Sequence, residues 1–200
     1  MIRVVLSELY RTLTVRSAWL SMTCYATLGI ATGWFSEEFW ALFISIGAFA
    51  VTAVTTAQHY QHRTAVLLFL GQPHRLAVLA AQCLVGAVLA VVTAAVSGII
   101  VVGQGDGDVF WYTLTAVPLI AVFGVANATL VRRPTWLFAG WALWMIAVEG
   151  VIGKFQSRLP LSSMLIGASG NAAYLRAFAI WTALFLAAAV WSIRRDLSGS

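Results

Sequence analysis

Charge is what this sequence has least of. Only 10% of its 200 residues are Asp, Glu, Lys or Arg, against roughly 25% in an ordinary soluble domain. So few charges cannot cover a water-facing surface, and lipid must solvate most of the outside. Cysteine is scarce too. Cys24 and Cys83 both lie inside apolar runs, which excludes a disulfide framework and a thiolate metal cluster and leaves them as small packing residues. The three histidines, His59, His62 and His74, sit in one segment without a nearby Cys, Asp or Glu. Two or three imidazoles alone make a poor metal site, so no metal is expected. Lysine is nearly missing, with Lys154 standing against eleven arginines. A phosphate-binding loop needs Gly-x-x-x-x-Gly-Lys-Ser/Thr. Here Phe155 follows the lysine and Val148 stands where the first glycine belongs. Any nucleotide-driven work must therefore come from another polypeptide.

What is present is apolar. Hydrophobic residues make up 61% of the chain, and the mean hydropathy is +0.89. Runs at about 18–35, 39–57, 76–103, 109–130, 135–153 and 176–193 are each long enough to cross a bilayer, which takes about 20 residues for ~30 Å of hydrocarbon. The expected fold is all-α and integral to the membrane, with six transmembrane helices forming one domain over 18–200. The net charge of +5 does not suggest nucleic acid, because the basic residues fall in the gaps between runs. With both termini in the cytoplasm, Arg3, Arg11, Arg16, Arg63, Arg75, Arg132, Arg133, Arg194 and Arg195 lie inside, nine of the twelve basic residues. The positive-inside rule favours this orientation. Trp19, Trp136 and Trp191 then fall near the inner interface, and Trp34, Trp40 and Trp111 near the outer one, where indole rings anchor.

Two segments are not simple spans. Residues 1–17 read as an amphipathic interfacial helix, with Ile2, Val5, Leu6, Leu9, Tyr10 and Leu13 on one face and Arg3, Ser7, Glu8, Arg11 and Thr14 mostly on the other. Residues 155–175 are apolar but interrupted by Pro160 and Gly167. They read as a re-entrant or interfacial segment between spans five and six, on the outer side.

The connection between spans two and three, residues 58–75, carries Gln58-His59-Tyr60-Gln61-His62-Arg63-Thr64, an apolar block Val66–Leu70, and Gly71-Gln72-Pro73-His74-Arg75. An apolar block in a cytoplasmic loop needs a surface to bury against, and a partner protein is the natural one. This stretch resembles the Glu-Tyr-Arg-His-Arg-Thr…Pro-Arg-Arg segment of actinobacterial ABC-2 type permeases, the membrane-spanning subunits of ABC exporters. His59 and Gln61 depart from that pattern. Glu8–Leu20 resembles the same family's entry segment, Ala147–Gly153 with Leu159–Ser163 its fifth span and outer re-entrant segment, and Trp191–Leu197 its basic exit. The resemblance covers essentially the whole chain in order. It implies that Tyr60, His62, Arg63, Thr64, Pro73 and Arg75 form a coupling segment docking on two ATPase subunits. Those subunits would bind ATP and Mg, and this chain would bind no cofactor itself. It also implies a second permease subunit, identical or related, and a place in the bacterial cytoplasmic membrane. The chain by itself is then not an enzyme.

Three further features have two readings each. Glu149 is the one carboxylate inside an expected span. It either pairs outside with Lys154 or Arg158, or serves as a gate or substrate contact. Gly29 and Gly33 have the spacing that lets helices approach closely, and they serve either internal packing or a dimer face. Gly167-Ala168-Ser169-Gly170 resembles an intramembrane protease serine motif. Nucleophilic serine chemistry needs an adjacent base, and every histidine is expected on the opposite side. The rivals to an exporter subunit are an ion-coupled secondary transporter and a membrane scaffold or assembly protein.

Overall fold

A computed structural model describes residues 2–14, 16–61, 75–105 and 107–198. They are helical almost throughout, with no strand among the described residues. The helices are α1 (Ile2–Thr14), α2 (Arg16–Phe35), α3 (Glu37–Gln61), α4 (Arg75–Gln104), α5 (Gly107–Val131), α6 (Pro134–Trp144), α7 (Pro160–Ala168) and α8 (Ala172–Ser198). A π-helical stretch, Met145–Ile152, continues α6 without a break.

The helix boundaries follow from local chemistry. Ser36 caps α3 by accepting the Glu38 amide on its hydroxyl at 3.2 Å, and Glu37 and Glu38 fill the first turn, where carboxylates complement the helix dipole. Gly105, at φ +102, turns the chain beyond α4. Pro134 opens α6, a position where its missing N–H costs nothing.

Five stretches are long and apolar enough to cross a membrane: Glu37–Gln58, Leu76–Gln104, Gly107–Val131, Pro134–Ile152 and Ala172–Arg195. The chain is thus multi-pass in character. The first expected span, 18–35, forms α2, a single helix of 20 residues. Thr23, Thr27, Thr32, Gly29 and Gly33 make it less apolar than the other five.

α5 is the hub. It packs on α3, α4, α7 and α8, and Phe123 in its middle is fully buried. The Phe123 ring lies 5.7 Å from Phe49, 5.4 Å from Trp141, 5.3 Å from Phe178 and 5.1 Å from Phe185, all tilted or edge-on, as aromatic quadrupoles prefer. Gly124 lets α3 come close: a Cβ there would lie 2.3 Å from the Thr52 hydroxyl and 2.9 Å from the Phe49 carbonyl oxygen.

One expectation is corrected here, and two further features are placed. Trp40 is not an interface anchor. It is fully buried, stacked 5.8 Å from Phe110, with its indole N–H donating to Ser97 Oγ at 3.3 Å. Trp19, Trp34, Trp111, Trp136 and Trp191 are exposed, as anchors should be. Gly29 and Gly33 are not on a free face. A Cβ at Gly29 would meet Ile44 at 2.6 Å, and one at Gly33 would meet Ile100 at 2.8 Å, so this pair packs α2 onto α3 and α4 of its own chain. In α1, finally, Glu8 is buried, and Val5 packs on Val78 and Ala81 of α4, while Leu6 and Tyr10 are exposed. The apolar face is therefore divided, with Val5 against the bundle and Leu6 and Tyr10 away from it.

Candidate functional site

The buried carboxylate of Glu149 organises the end of the molecule where α7 begins. The chain reaches it through the π-helical stretch, whose wider turns are common at functional sites. Gly153 N–H donates to the Val148 carbonyl at 2.8 Å, closing that stretch. Lys154 and Phe155 then take φ of +49 and +54, a left-handed conformation uncommon for residues with a side chain. The Phe155 amide returns to the Glu149 carbonyl at 2.8 Å, and the chain reverses.

α7 starts at Pro160 without a cap of its own, because the residue before it, Leu159, has no side-chain acceptor. Pro160 has no N–H, so the first free backbone donors are those of Leu161 and Ser162. Both are taken by Glu149. Leu161 N–H donates to Oε1 at 2.9 Å, and Ser162 N–H and its hydroxyl both donate to Oε2 at 2.5 Å. The Trp144 indole N–H adds a bond to Oε1 at 3.0 Å. A fully buried acid side chain thus receives four donors at the positive end of a helix, which stabilises both its charge and the helix. The other end of α7 is also served from a distance, by the Thr113 hydroxyl of α5 donating to the Ala168 carbonyl at 3.0 Å. Gly167 lets the same turn lie against the backbone of α8, since a Cβ there would be 2.9 Å from Leu175 Cα.

Arg158 plays no part in this. Its side chain is exposed and its carbonyl accepts the Trp181 indole N–H at 3.0 Å. In place of the ion pair read from the sequence, the carboxyl group caps the short helix. It fastens the π-helical stretch to α7.

A second polar feature lies among α1, α2, α3 and α4. Glu8, Tyr25, Thr52, Thr55, Thr56, Gln82 and Thr93 contribute to the lining of a small chamber of about 30 Å³, room for one or two waters. Thr52, Thr55 and Thr93 donate their hydroxyls to carbonyls one turn back, at 2.7, 2.8 and 2.8 Å, and so turn lone pairs outward.

Of the coupling residues, His62, Arg63, Thr64 and Pro73 lie outside the described residues. Tyr60 lies in the last turn of α3 and Arg75 opens α4, with their side chains outside what the structure describes. Ser169 is exposed and donates to Ile166 carbonyl at 3.0 Å; no base is in hydrogen-bonding contact. Sequence reasoning missed the partners of Glu149: Trp144, Leu161 and Ser162. The available signal was Leu159-Pro160, a helix start lacking Ser, Thr, Asp or Asn, which demands a cap from elsewhere. Compared with family models, with characterised proteins and with solved structures, the chain returns no match.

Proposed function

We propose that this chain is the membrane-spanning permease subunit of an ATP-driven ABC exporter, of the ABC-2 type, in a bacterial cytoplasmic membrane. The observation that carries the reading is the ordered series of sequence segments, from Glu8–Leu20 through 58–75 to Trp191–Leu197, distributed along a multi-pass helical bundle. In this reading α2 is the first of six spans, α1 lies in the interface, and α7 is the outer re-entrant segment. Both termini are cytoplasmic. Residues 58–75 take up the push of two ATPase subunits that bind ATP and Mg, with Tyr60, His62, Arg63, Thr64, Pro73 and Arg75 as the contact. A second permease subunit completes the pathway. In this reading that partner sits on the α6–π helix, which exposes Leu143, Ile146, Val151 and Ile152. Glu149 then joins a pathway-facing helix to the outer segment, so that movement of one carries the other.

The test is gentle detergent purification of the tagged chain from its native membrane. An ATPase in stoichiometric amount, lost on joint replacement of Tyr60 and Arg63, is the expected result. If no ATPase accompanies the chain even after crosslinking, the exporter reading falls. A second reading, an ion-coupled carrier, draws on the buried polar residues Glu8, Thr52 and Gln82 beside a small, mainly apolar chamber, because intramembrane polar clusters mark ion paths. Transport that survives inactivation of the ATPase and follows the proton gradient selects the carrier.

A further inference from the structure

Beside the capped helix, α6 and α8 stand apart and flank a groove of about 280 Å³, close to the ~300 Å³ at which ligand clefts begin. Its walls include Trp136, Trp141, Trp144, Trp181 and Phe185, with Gly140 in the floor and Pro160 at one end. Four indole rings would ordinarily bring four hydrogen-bond donors. Here three of the four indole N–H groups, all but that of Trp136 at the far end, are already spent inside the protein. Trp141 donates to Asn127 Oδ1 at 3.1 Å, Trp144 to Glu149, and Trp181 to the Arg158 carbonyl. The Asn127 amide is itself held, its Nδ2 donating to the Phe123 carbonyl at 2.8 Å. These three rings therefore offer the groove carbon faces and edges, held in place by bonds on their far sides.

Such a lining recognises hydrocarbon. Along α6 it runs from Trp136 to Trp144, about 12 Å at 1.5 Å per residue. The Pro160 end has a different character. Arg158 is bonded through its carbonyl to the Trp181 ring that forms the wall, and its side chain is exposed. Residues 153–177 hold Lys154, Arg158 and Arg176 and not one Asp or Glu. The nearest acid in sequence, Glu149, is buried and committed to α7. An apolar slot with the backbone of an exposed arginine bonded to its wall, in a segment free of available acids, matches an amphiphile with an anionic head and a hydrocarbon tail.

We propose that this groove is a specific site for an anionic phospholipid, with one acyl chain between α6 and α8 and the phosphate at Arg158. The site is independent of the exporter reading and needs only that the chain spans a bilayer. Gly140 supplies the decisive variant. A Cβ there meets nothing within 4 Å, so Gly140→Leu fills the slot without pushing on the fold.

The experiment is native mass spectrometry of delipidated full-length protein, titrated with phosphatidylglycerol or phosphatidylcholine of identical chains. The wild type should retain the anionic lipid roughly tenfold more strongly, the equivalent of about 1.4 kcal/mol. Arg158→Gln should abolish that preference while keeping chain binding, and Gly140→Leu should lose the tightly held lipid of either kind. Because Arg158 is exposed, its variant reads out recognition even should the glycine variant fail to insert. Equal retention of both lipids by the wild type, or an undiminished preference in Arg158→Gln, overturns the proposal. So does a dimer that excludes lipid and dissociates on Gly140→Leu, which would assign the groove to a second copy of the chain.

Discussion

α5 and the α6–π helix are both membrane-length and both strongly apolar, yet they live in opposite surroundings. Over its most apolar stretch, α5 has 61% of its residues buried by the rest of the chain, and Pro134–Ile152 has 11%. Between helices in lipid the hydrophobic effect supplies little, because tails are as apolar as leucine. Close packing and hydrogen bonds do the work instead. Accordingly α5 is built for close approach, with Gly124 against the α3 backbone and Phe123 ringed by aromatics. The α6–π helix is held at fewer points: Leu137 is buried in the core, the Trp141 ring lies against Phe49, Phe123 and Phe185, and hydrogen bonds leave it from Trp141 to Asn127 and to Glu149 from Leu161 and Ser162. One helix is packed along its length, and the other is fastened at a few places.

That contrast can be broken from either side. The largest effect is expected from Phe123→Ala, which opens the aromatic hub and should cost about 3–5 kcal/mol, read as loss of folded, monodisperse protein in detergent. Next comes Glu149→Ala, which strands the two buried backbone N–H donors of Leu161 and Ser162 at about 1–3 kcal/mol each. It should expose 153–171 to limited proteolysis while α3 to α5 stay intact, and unchanged proteolysis would mean that α7 needs no cap. Thr113→Val removes the opposite cap of α7 and should cost about 1 kcal/mol, measurable as a lowered melting temperature. The smallest change belongs to Ile146→Ala on the open face, within about 0.5 kcal/mol for the isolated chain. A much larger effect in native membrane than in detergent would show that a second subunit covers that face.

Much of this architecture was legible in the sequence, and the exceptions are instructive. Apolar runs of the right length located the membrane-length helices, because helix length is fixed by bilayer thickness. The position of Glu149 inside a span was equally plain. Its partners were not, since an ion pair with Arg158 and a cap on α7 use the same carboxylate, and only three-dimensional proximity decides between them. Trp40 shows the same limit: an indole near the end of an apolar run suits the headgroup level, but here Ser97 takes its N–H and Gly98 makes room for its ring. Gly29 and Gly33 were correctly read as a close-approach pair, while the side they approach could not be read from spacing.

The capping of α7 by a distant carboxylate has a consequence for how the molecule is made. As the α6–π helix enters the bilayer during synthesis, Glu149 enters with it near the end of the span, and an ionisable group within a span is costly until it finds partners. Its relief is encoded twelve and thirteen residues later, at Leu161 and Ser162. Until those residues leave the ribosome the helix is a provisional passenger, free to slide or withdraw. Emergence of Ser162 from the ribosome is the event that commits it, so a nascent chain held with that residue still in the exit tunnel should leave the segment accessible to water-borne reagents, and the released full-length chain should not.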